Sequence, residues 1–180
     1  MMIKTMFYDS PIGRLLLAEE NQALIGVWIQ KQKYYPNALL HHMKACGDSL
    51  ILQQTITWLK HYFQGEQPSI HELTFSLKGS DFQKEVWNIL CEIPYGQTMT
   101  YGEISKRMAK KRGLDHMSAQ AVGKAVGHNP ISIIVPCHRV VGTTGCLVGY
   151  AGGIDKKMWL LAHEGVDLNN FSIPQKGTAL

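Results

Sequence analysis

A cysteine, a histidine and an arginine follow one another between two apolar runs, and these side chains can support nucleophilic chemistry. The triplet Cys137–Arg139 comes after the apolar run Ile131–Val135 and before Val140 and Val141. Burying ionisable groups is costly unless they have partners, so the pattern indicates a polar site held inside the protein. A thiol becomes a strong nucleophile as a thiolate, which a nearby imidazole can generate. The alternative is a structural triplet, in which other groups satisfy a core cysteine, a histidine and an arginine.

The relative direction of the cysteine and histidine side chains follows from the backbone. Neighbouring side chains of an extended segment point to opposite faces, so Cys137 and His138 are expected to diverge. Proton exchange between them would then pass through a water molecule or require a local bend of the chain. The imidazole also needs a third group that orients it and stabilises its charged form.

Two short helices joined by a basic loop are predicted before the triplet. Thr100 starts the first helix, with Glu103 completing a capping box, and Ser118 caps the second, which runs to about Gly127. This arrangement is typical of a helix-turn-helix. A cluster of basic residues lies between the two caps and permits contact with nucleic acid, although a solvated helix end has the same composition. The cluster consists of Lys106, Arg107, Lys110, Lys111 and Arg112.

The second predicted helix has two unlike faces. A rotation of about 100° per residue places Ala121, Val122 and Ala125 on one side. The other side consists of Ala119, Gln120, Gly123, Lys124 and Gly127. A glycine inside a helix costs about 1 kcal/mol relative to alanine, so Gly123 is expected to allow a close approach. Packing against another helix is one explanation for it.

The first half of the chain predicts a scaffold of sheet and helix. Three strand-like segments between residues 2 and 30 are separated by turn residues, which is typical of an antiparallel meander. Asp48 or Ser49 can cap a helix in which apolar residues recur at helical spacing. A further strand is expected over 73–77. We find no catalytic pattern in this half.

Composition limits the class of protein. With 180 residues, of which 45% are hydrophobic, the chain can bury the core of one domain or of two small ones. The net charge of +4 permits nucleic-acid binding without requiring it. No apolar run is long enough to span a bilayer, and the N-terminus lacks a signal-peptide pattern. We therefore expect an intracellular, cytoplasmic protein with reduced thiols and no membrane association.

The cysteines and histidines lack the spacing of a metal site. The four cysteines are Cys46, Cys91, Cys137 and Cys146. No two of them form a Cys-x-x-Cys pair. His41 and His42 precede Cys46 closely, but residues of these types on a presumed helix are more commonly surface and core neighbours. The sequence therefore predicts no metal.

A change of composition at Lys78–Ser80 marks the predicted domain boundary. We assign residues 1–78 to an N-terminal α/β scaffold domain and 79–166 to a C-terminal, mostly helical domain that carries the triplet. Residues 167–180 show little periodicity and are expected to form a loosely ordered tail. The predicted fold class is α/β (α+β), with a small antiparallel sheet and a helix in the N-terminal domain.

Several blocks around the triplet together resemble one known family. Ile134–Val140 has the sequence IVPCHRV, preceded by Asn129-Pro130 and followed by Gly149–Gly153 and Trp159–Gly165 in family order and spacing. These blocks are similar to those of the O6-alkylguanine-DNA alkyltransferases, also called methylated-DNA–protein-cysteine methyltransferases. The resemblance is strong from Phe82 to Gly165 and general in character before that.

The resemblance implies a two-domain fold and a single-turnover repair reaction. The N-terminal domain would be ribonuclease H-like, and the C-terminal domain would be a winged-helix-like domain for DNA binding and alkyl acceptance. The family inserts the second helix of the helix-turn-helix in the minor groove of double-stranded DNA and flips the damaged base. The alkyl group of O6-alkylguanine would move irreversibly to Cys137, with O4-alkylthymine as a second candidate substrate. The resemblance implies a monomer that needs no metal or organic cofactor.

The resemblance also implies roles for the candidate catalytic residues. Cys137 would accept the alkyl group, and His138 would take its proton, oriented by Glu164 in a Cys-water-His-Glu relay. Tyr101 matches the family tyrosine that donates towards the base. Asn129 matches the hinge asparagine between the recognition helix and the active-site segment.

A further set of residues matches positions that contact DNA or line the pocket for the flipped base. The set comprises Gln120, Ala121, Gly123, Lys124, Arg139, Val140, Tyr150, Ala151 and Gly152. Gln120 departs from the family, which usually has an arginine that fills the space of the flipped base. Glutamine can occupy that space and hydrogen-bond the orphaned partner base, but it has no charge and a shorter reach. The departure is expected to affect base flipping and DNA binding and not the transfer chemistry.

Two other functions agree with parts of the pattern. A DNA-binding protein without catalysis would share the helices, but relatives of that kind lack the cysteine, which is present here as Cys137. A thiol hydrolase would use cysteine and histidine, but it would need an oxyanion hole and would turn over repeatedly. The surrounding sequence blocks favour the alkyltransferase.

Overall fold

The chain separates into two compact units. A computed structural model gives the structure of residues 2–173. Among these residues, one unit consists of 2–78 with Pro130–Ile134, and the other consists of Gly79–Asn129 with 135–173.

The first unit is built on a four-stranded sheet. β1 (Ile3–Ser10), β2 (Gly13–Glu20) and β3 (Ala23–Ile29) form the predicted antiparallel meander. β4 (Met43–Ala45) pairs in parallel with β1, which gives the strand order β3-β2-β1-β4. The presumed helix is present for His41 and His42, which end a short 3-10 helix, Asn37–His42, but Cys46 lies outside it, after β4.

One helix packs on this sheet. α1 (Leu50–Phe63) begins at Ser49, whose hydroxyl accepts a hydrogen bond from the Leu52 N–H, as the cap prediction requires. The helix contacts β1, β2 and β3. Residues Leu15–Ala18 of β2 are buried without alternation, so both faces of the central strand are covered.

The free edge of β3 is covered by Pro130–Ile134. The Val27 N–H donates to the Pro130 carbonyl, and the Ser132 N–H donates to the Val27 carbonyl, each at 2.9 Å. These hydrogen bonds join the five residues to the first unit, whereas the sequence predicts them in the C-terminal domain. An edge strand that satisfies its backbone groups in this way is protected from pairing with other chains.

The strand predicted over 73–77 is reduced to a single bridge between Phe75 and Leu24. The Leu24 N–H donates to the Thr74 carbonyl at 2.9 Å, and the Ser76 N–H donates to the Leu24 carbonyl at 2.8 Å. The segment thus lies along β3 without forming a full strand.

The second unit contains the predicted helix-turn-helix. α2 (Asp81–Cys91) is followed by α3 (Tyr101–Arg112), which begins with the capping box of Thr100 and Glu103. α4 (Ala119–Gly127) begins at the predicted cap Ser118 and packs on both α2 and α3. Within residues 2–173, no helix has the length and apolar character needed to cross a membrane.

A short parallel sheet and a last helix complete this unit. β6 (Val140–Val141), directly after the Cys-His-Arg triplet, pairs with β5 (Met99–Thr100), directly before α3. α5 (Ile154–His163) follows Gly153, which has a φ of 97°. Asp155 lies in the first turn of α5, where a negative charge is favourable.

The start of the predicted tail is packed. Leu168–Asn170 form a 3-10 helix, and Leu168 and Phe171 pack against Val141 and Leu161. The expectation of a loose tail does not hold for this part, because apolar side chains fix it. Residues 174–180 lie outside the described residues.

Candidate active site

The triplet Cys137–Arg139 forms one turn of 3-10 helix instead of an extended strand. Pro136 leads into it with φ and ψ of −82° and 62°, and Val140 returns the chain to an extended conformation. Cys137 is 5% exposed and His138 is fully buried. The expectation of an extended segment is therefore wrong for the triplet. The chain bends locally instead, which is one of the two arrangements considered for proton exchange between Cys137 and His138.

Asn129 holds the sulfur of Cys137. Its side-chain nitrogen donates hydrogen bonds to the Val135 carbonyl at 2.8 Å and to Cys137 Sγ at 3.1 Å. Asn129 follows His128, the C-cap residue of α4, so this amide connects the end of α4 to the cysteine turn. The hinge role that the resemblance implied for Asn129 stays a prediction.

Glu164 connects the histidine and the arginine of the triplet. It caps the end of α5, and its Oε1 lies 2.7 Å from His138 Nε2. Arg139 donates from Nε to Oε2 at 2.8 Å and from Nη2 to Oε1 at 3.0 Å. The Gly96 N–H donates to Oε2 at 3.2 Å. The carboxylate therefore has several donors, which fix its orientation against the imidazole.

The guanidinium of Arg139 forms its hydrogen bonds within the protein. Besides Glu164, its Nη1 donates to the Ile93 carbonyl at 2.6 Å, and its guanidinium lies over the Tyr95 ring at 5.7 Å. Only 11% of the side chain is exposed. The prediction that Arg139 contacts DNA or substrate is corrected by this geometry, because the planar guanidinium is committed to a bidentate carboxylate.

The protonation states favour a neutral imidazole that can accept a proton. Burial alone would raise the pKa of Glu164. The hydrogen bonds and charges of His138 and Arg139 outweigh the effect of burial, and the pKa of Glu164 lies well below its usual range. Burial lowers the pKa of His138, with Glu164 opposing the effect. An ionised Glu164 accepts the Nε2–H of the neutral imidazole, so the proton acceptor of His138 is Nδ1. Burial raises the pKa of the Cys137 thiol, which therefore needs a base.

Two buried polar atoms of the site have no hydrogen-bond partner among residues 2–173. They are Nδ1 of His138 and the hydroxyl of Tyr150. Burial, followed by the charges of Cys137 and Glu164, raises the pKa of Tyr150, which places its hydroxyl in the same site. Unpaired buried polar atoms are rare in native proteins, so they point to groups that act on a proton or a ligand.

Tyr101 lies at the start of α3 with its hydroxyl in the same site. The hydroxyl donates to the carbonyls of Val148 and Gly149, at 3.3 Å each. Burial, followed by the charge of Cys137, raises the pKa of Tyr101, so this group stays a neutral donor. Val140 is buried in β6, and Ala151 and Gly152 are half-buried in the loop after Tyr150.

The exposed face of α4 differs from the predicted one. Gln120, Ala121 and Lys124 are exposed, whereas Gly123 is buried. The solvent-facing arc is centred between Gln120 and Lys124. Ala121 and Gly123 lie at its two edges, and the packing of the helix exposes Ala121 and buries Gly123. The prediction of Gly123 as a DNA contact is therefore corrected. Its buried position agrees with the alternative of helix packing.

Comparisons with known proteins identify the family. The ribonuclease-like domain of 6-O-methylguanine DNA methyltransferase matches residues 3–77, and the DNA binding domain of the same family matches residues 81–166. A methylated-DNA–protein-cysteine methyltransferase from Mycolicibacterium paratuberculosis is 41% identical over 163 residues, which cover 91% of this chain and 93% of the relative. The chain belongs to this family.

Solved structures of alkyltransferases confirm the predicted fold class. The O6-methylguanine methyltransferase of Mycobacterium tuberculosis aligns with a TM-score of 0.76 at 42% identity, covering 91% of this chain and 93% of that one. Mycobacterium tuberculosis OGT in complex with DNA also aligns with a TM-score of 0.76, at 39% identity, covering 91% and 92% of the two chains.

Part of the basic cluster of this alkyltransferase is available to bind anions. Arg107 pairs with Glu92 at 3.2 Å and Arg112 pairs with Glu85 at 3.1 Å. The remaining members are exposed and pair with no carboxylate among the described residues. They are Lys106, Lys110 and Lys111. Because these lysines lie on α3, they provide positive charge at the helix-turn-helix.

The sequence interpretation missed Lys157, a buried cation of the alkyltransferase. The side chain is fully buried, and its ammonium donates to the carbonyls of Val140 at 2.5 Å and Val148 at 2.6 Å. A signal was present in the sequence, because Lys157, Leu160, Leu161 and Glu164 recur at the spacing of a buried helix stripe. Within the part of the chain that the structure describes, no group of three or more His, Cys, Asp or Glu side chains could hold a metal ion.

Proposed function

We propose that Cys137 of this alkyltransferase takes the alkyl group from O6-alkylguanine in double-stranded DNA. The protein is a methylated-DNA–protein-cysteine methyltransferase, which repairs DNA by transfer of an alkyl group to a cysteine. The observation that carries the choice of Cys137 is its place in one buried turn with His138, whose imidazole is bonded to Glu164. Cys137 is also the one cysteine of four that stands next to a histidine.

The proton transfers use groups of the chain itself. His138 accepts the thiol proton at Nδ1, directly or through one solvent molecule, and Glu164 stabilises the resulting imidazolium. The sulfur of Cys137 then bonds to the alkyl carbon as the bond from that carbon to guanine O6 breaks. The electron pair of the broken bond leaves with guanine, which takes up a proton. Tyr101, as a neutral hydroxyl, is the proposed donor and regains its proton from solvent.

Each molecule acts once in this scheme. The product is a thioether at Cys137, and no group of the proposed mechanism hydrolyses it, so transfer is stoichiometric and irreversible. The displacement itself requires no metal and no organic cofactor. A reduced thiol is needed, and because the cytoplasm keeps thiols reduced, action there is part of the proposal.

The exposed face of α4 is the proposed surface for DNA. Gln120, Ala121 and Lys124 present short or flexible side chains, which permit a close approach to the minor groove. Gln120 would fill the space of the flipped base, and Lys124 would contact phosphate. Tyr150, with the adjacent loop, would line the pocket for the base, and one copy of the chain would suffice.

The DNA product distinguishes this function from the alternatives. After incubation with a duplex that carries one O6-methylguanine, we expect an intact strand with guanine at the lesion. Its amount should equal the amount of protein added, as measured by nucleoside chromatography. A DNA-binding protein without catalysis would leave the lesion unchanged, and a thiol hydrolase would remove more lesions than there are protein molecules.

Gln120→Ala is expected to slow repair of duplex DNA roughly tenfold, because no side chain then fills the space that the flipped base leaves in the base stack. Transfer from the free O6-alkylguanine base should stay near the wild-type rate, since no stack opens. Single-turnover rates with the two substrates measure the difference. A wild-type rate on duplex DNA would remove Gln120 from the mechanism and direct attention to Lys124.

Gln120→Arg is expected to tighten DNA binding at low salt, because the new cation adds about one phosphate contact and steepens the salt dependence by about one. Gln120 is exposed, so the longer side chain needs no repacking. The matched control is Gln67→Arg, which adds the same charge at an exposed glutamine of the first unit. An equal gain in the control would show a net-charge effect and contradict a role for Gln120.

A further inference from the structure

Lys157 is a buried cation that the proton transfers above do not use. Its side chain is fully buried, and no carboxylate among residues 2–173 pairs with it. Burying an ammonium is costly, and two carbonyl acceptors leave its net charge in place. A leucine or a methionine would satisfy the buried stripe of α5 without this cost. The charge therefore needs an explanation other than packing.

The two carbonyls bound by Lys157 belong to two separate segments, one next to Cys137 and one next to Tyr150 in the sequence. Val140 follows the turn of Cys137 directly, and Val148 lies two residues before Tyr150. The Val148 carbonyl also accepts the hydroxyl of Tyr101. The ammonium of Lys157 thus connects the cysteine turn with the Tyr150 segment, at a carbonyl that the Tyr101 hydroxyl also contacts.

Lys157 also lies within electrostatic reach of the acceptor sulfur. Burial raises the pKa of Cys137, and the charge of Lys157 opposes that rise. Burial lowers the pKa of Lys157 to about 8, so most of it remains charged at neutral pH. The titratable groups that act on Lys157 or respond to it are Cys137, Cys146 and His138. None of these is a carboxylate, so the cation is available to a thiolate.

We propose that Lys157 is a positioning residue that stabilises the Cys137 thiolate and holds the cysteine turn against the Tyr150 segment for transfer. The inference rests on the proposed function of Cys137 as the alkyl acceptor. A thiolate in a buried site needs a positive charge nearby, and the ammonium of Lys157 supplies it before and during attack. The imidazolium of His138 supplies charge only after it has taken the proton.

The test compares Lys157→Met with wild type in two measurements across a pH series. The first is the single-turnover rate on a duplex with O6-methylguanine, and the second is the alkylation rate of Cys137 by iodoacetamide, followed by peptide mapping. At neutral pH we expect the variant to be roughly tenfold slower in both, equivalent to a rise of about one unit in the thiol pKa. The gap should close in alkali, because the variant thiol ionises there and wild-type Lys157 loses its charge above a pKa of about 8.

Two further variants make the result decisive. Lys156→Met removes a charge from the adjacent position of α5, which is less buried, and should leave both rates unchanged. Lys157→Arg keeps the cation and should retain the wild-type thiol pKa, and it provides the comparison if Lys157→Met does not fold. A uniform loss at every pH with an unchanged thiol pKa would overturn the proposal in favour of a merely structural lysine. Continued alkyl transfer by Cys137→Ala would instead overturn the proposed function itself.

Discussion

Cys137→Ala is expected to reduce alkyl transfer below detection while the protein stays folded and still binds DNA. The sulfur is the atom that forms the new bond, so no other side chain at this position can replace it. Alanine fits the space of the thiol, and the Asn129 amide keeps its hydrogen bond to the Val135 carbonyl. The cost in unfolding free energy should be about 1–2 kcal/mol. Transfer of a labelled methyl group from duplex to protein measures the effect.

The other cysteines provide matched controls for this variant. Burial raises the pKa of Cys91 to about 11, so that thiol stays protonated at neutral pH. A hydrogen bond with Asp48 contributes most to the raised pKa of Cys46. Alanine at Cys46, Cys91 or Cys146 is therefore expected to leave the labelled product unchanged. Label on the Cys137→Ala protein would contradict the assignment of the acceptor.

Glu164→Gln is expected to slow transfer by roughly 10²–10⁴-fold, the usual contribution of general-base catalysis, because the base His138 depends on this carboxylate. Glutamine has no charge to stabilise the imidazolium of His138. Its amide nitrogen can also donate to Nε2, which would move the imidazole proton to Nδ1 and block that atom as a base. DNA affinity should stay nearly intact, since Glu164 is buried. Single-turnover rates and DNA titrations separate the two quantities.

The same substitution should destabilise the fold by about 3 kcal/mol, because it leaves the guanidinium of Arg139 without its carboxylate. The folded protein lowers the pKa of Glu164, so this stabilisation is present at neutral pH and is lost as the pH falls below the ordinary carboxyl range. Glu164→Gln should therefore weaken the acid dependence of stability, as thermal unfolding at a series of pH values would show.

An exposed His-Glu pair gives the control for Glu164. Glu66 lies 2.6 Å from His61, and both side chains are about half exposed or more, at 56% and 46%. Glu66→Gln makes the same chemical change at the surface, where an ion pair contributes little. We expect wild-type stability and transfer from it. Equal losses in both variants, or a loss of DNA binding by Glu164→Gln, would exclude the orienting role.

The elements that depend on nearby residues were predictable from the sequence. Ser49, Thr100 with Glu103, and Ser118 each satisfy N–H groups within their own first turn, so the helix starts follow from local chemistry. The meander of β1 to β3 follows in the same way from short segments separated by turn residues. The adjacency of Cys137 and His138 raised the possibility of a nucleophilic site, and the family resemblance of the surrounding blocks favoured it over a structural triplet.

Contacts between distant parts of the sequence were harder to predict. The pairing of β4 with β1 depends on a parallel register that three residues cannot specify. The resemblance placed Arg139 among the DNA or pocket contacts, and its partner Glu164 comes 25 residues later in the sequence. Lys157 was missed because a lysine is normally exposed, and only the fold shows that its position on α5 faces two backbone carbonyls.

The acceptor turn shows a third kind of limit, which concerns backbone detail. Pro136 and the two valines after the triplet are compatible with an extended segment, and the 3-10 turn of Cys137–Arg139 depends on surrounding contacts. Gly123 is a similar case, because its side of α4 depends on how the helix is rotated against its neighbours. A shift of that rotation by less than half a turn exchanges a DNA contact for a packing position.

The most direct test of the account is the mass of the intact protein after incubation with excess duplex that carries O6-methylguanine. We predict that every active molecule gains the mass of one methylene group, with no second addition on longer incubation. Peptide mapping should locate the methyl group on Cys137. An unchanged mass while the lesion disappears, or a methyl group on Cys46, Cys91 or Cys146, would contradict direct transfer to Cys137.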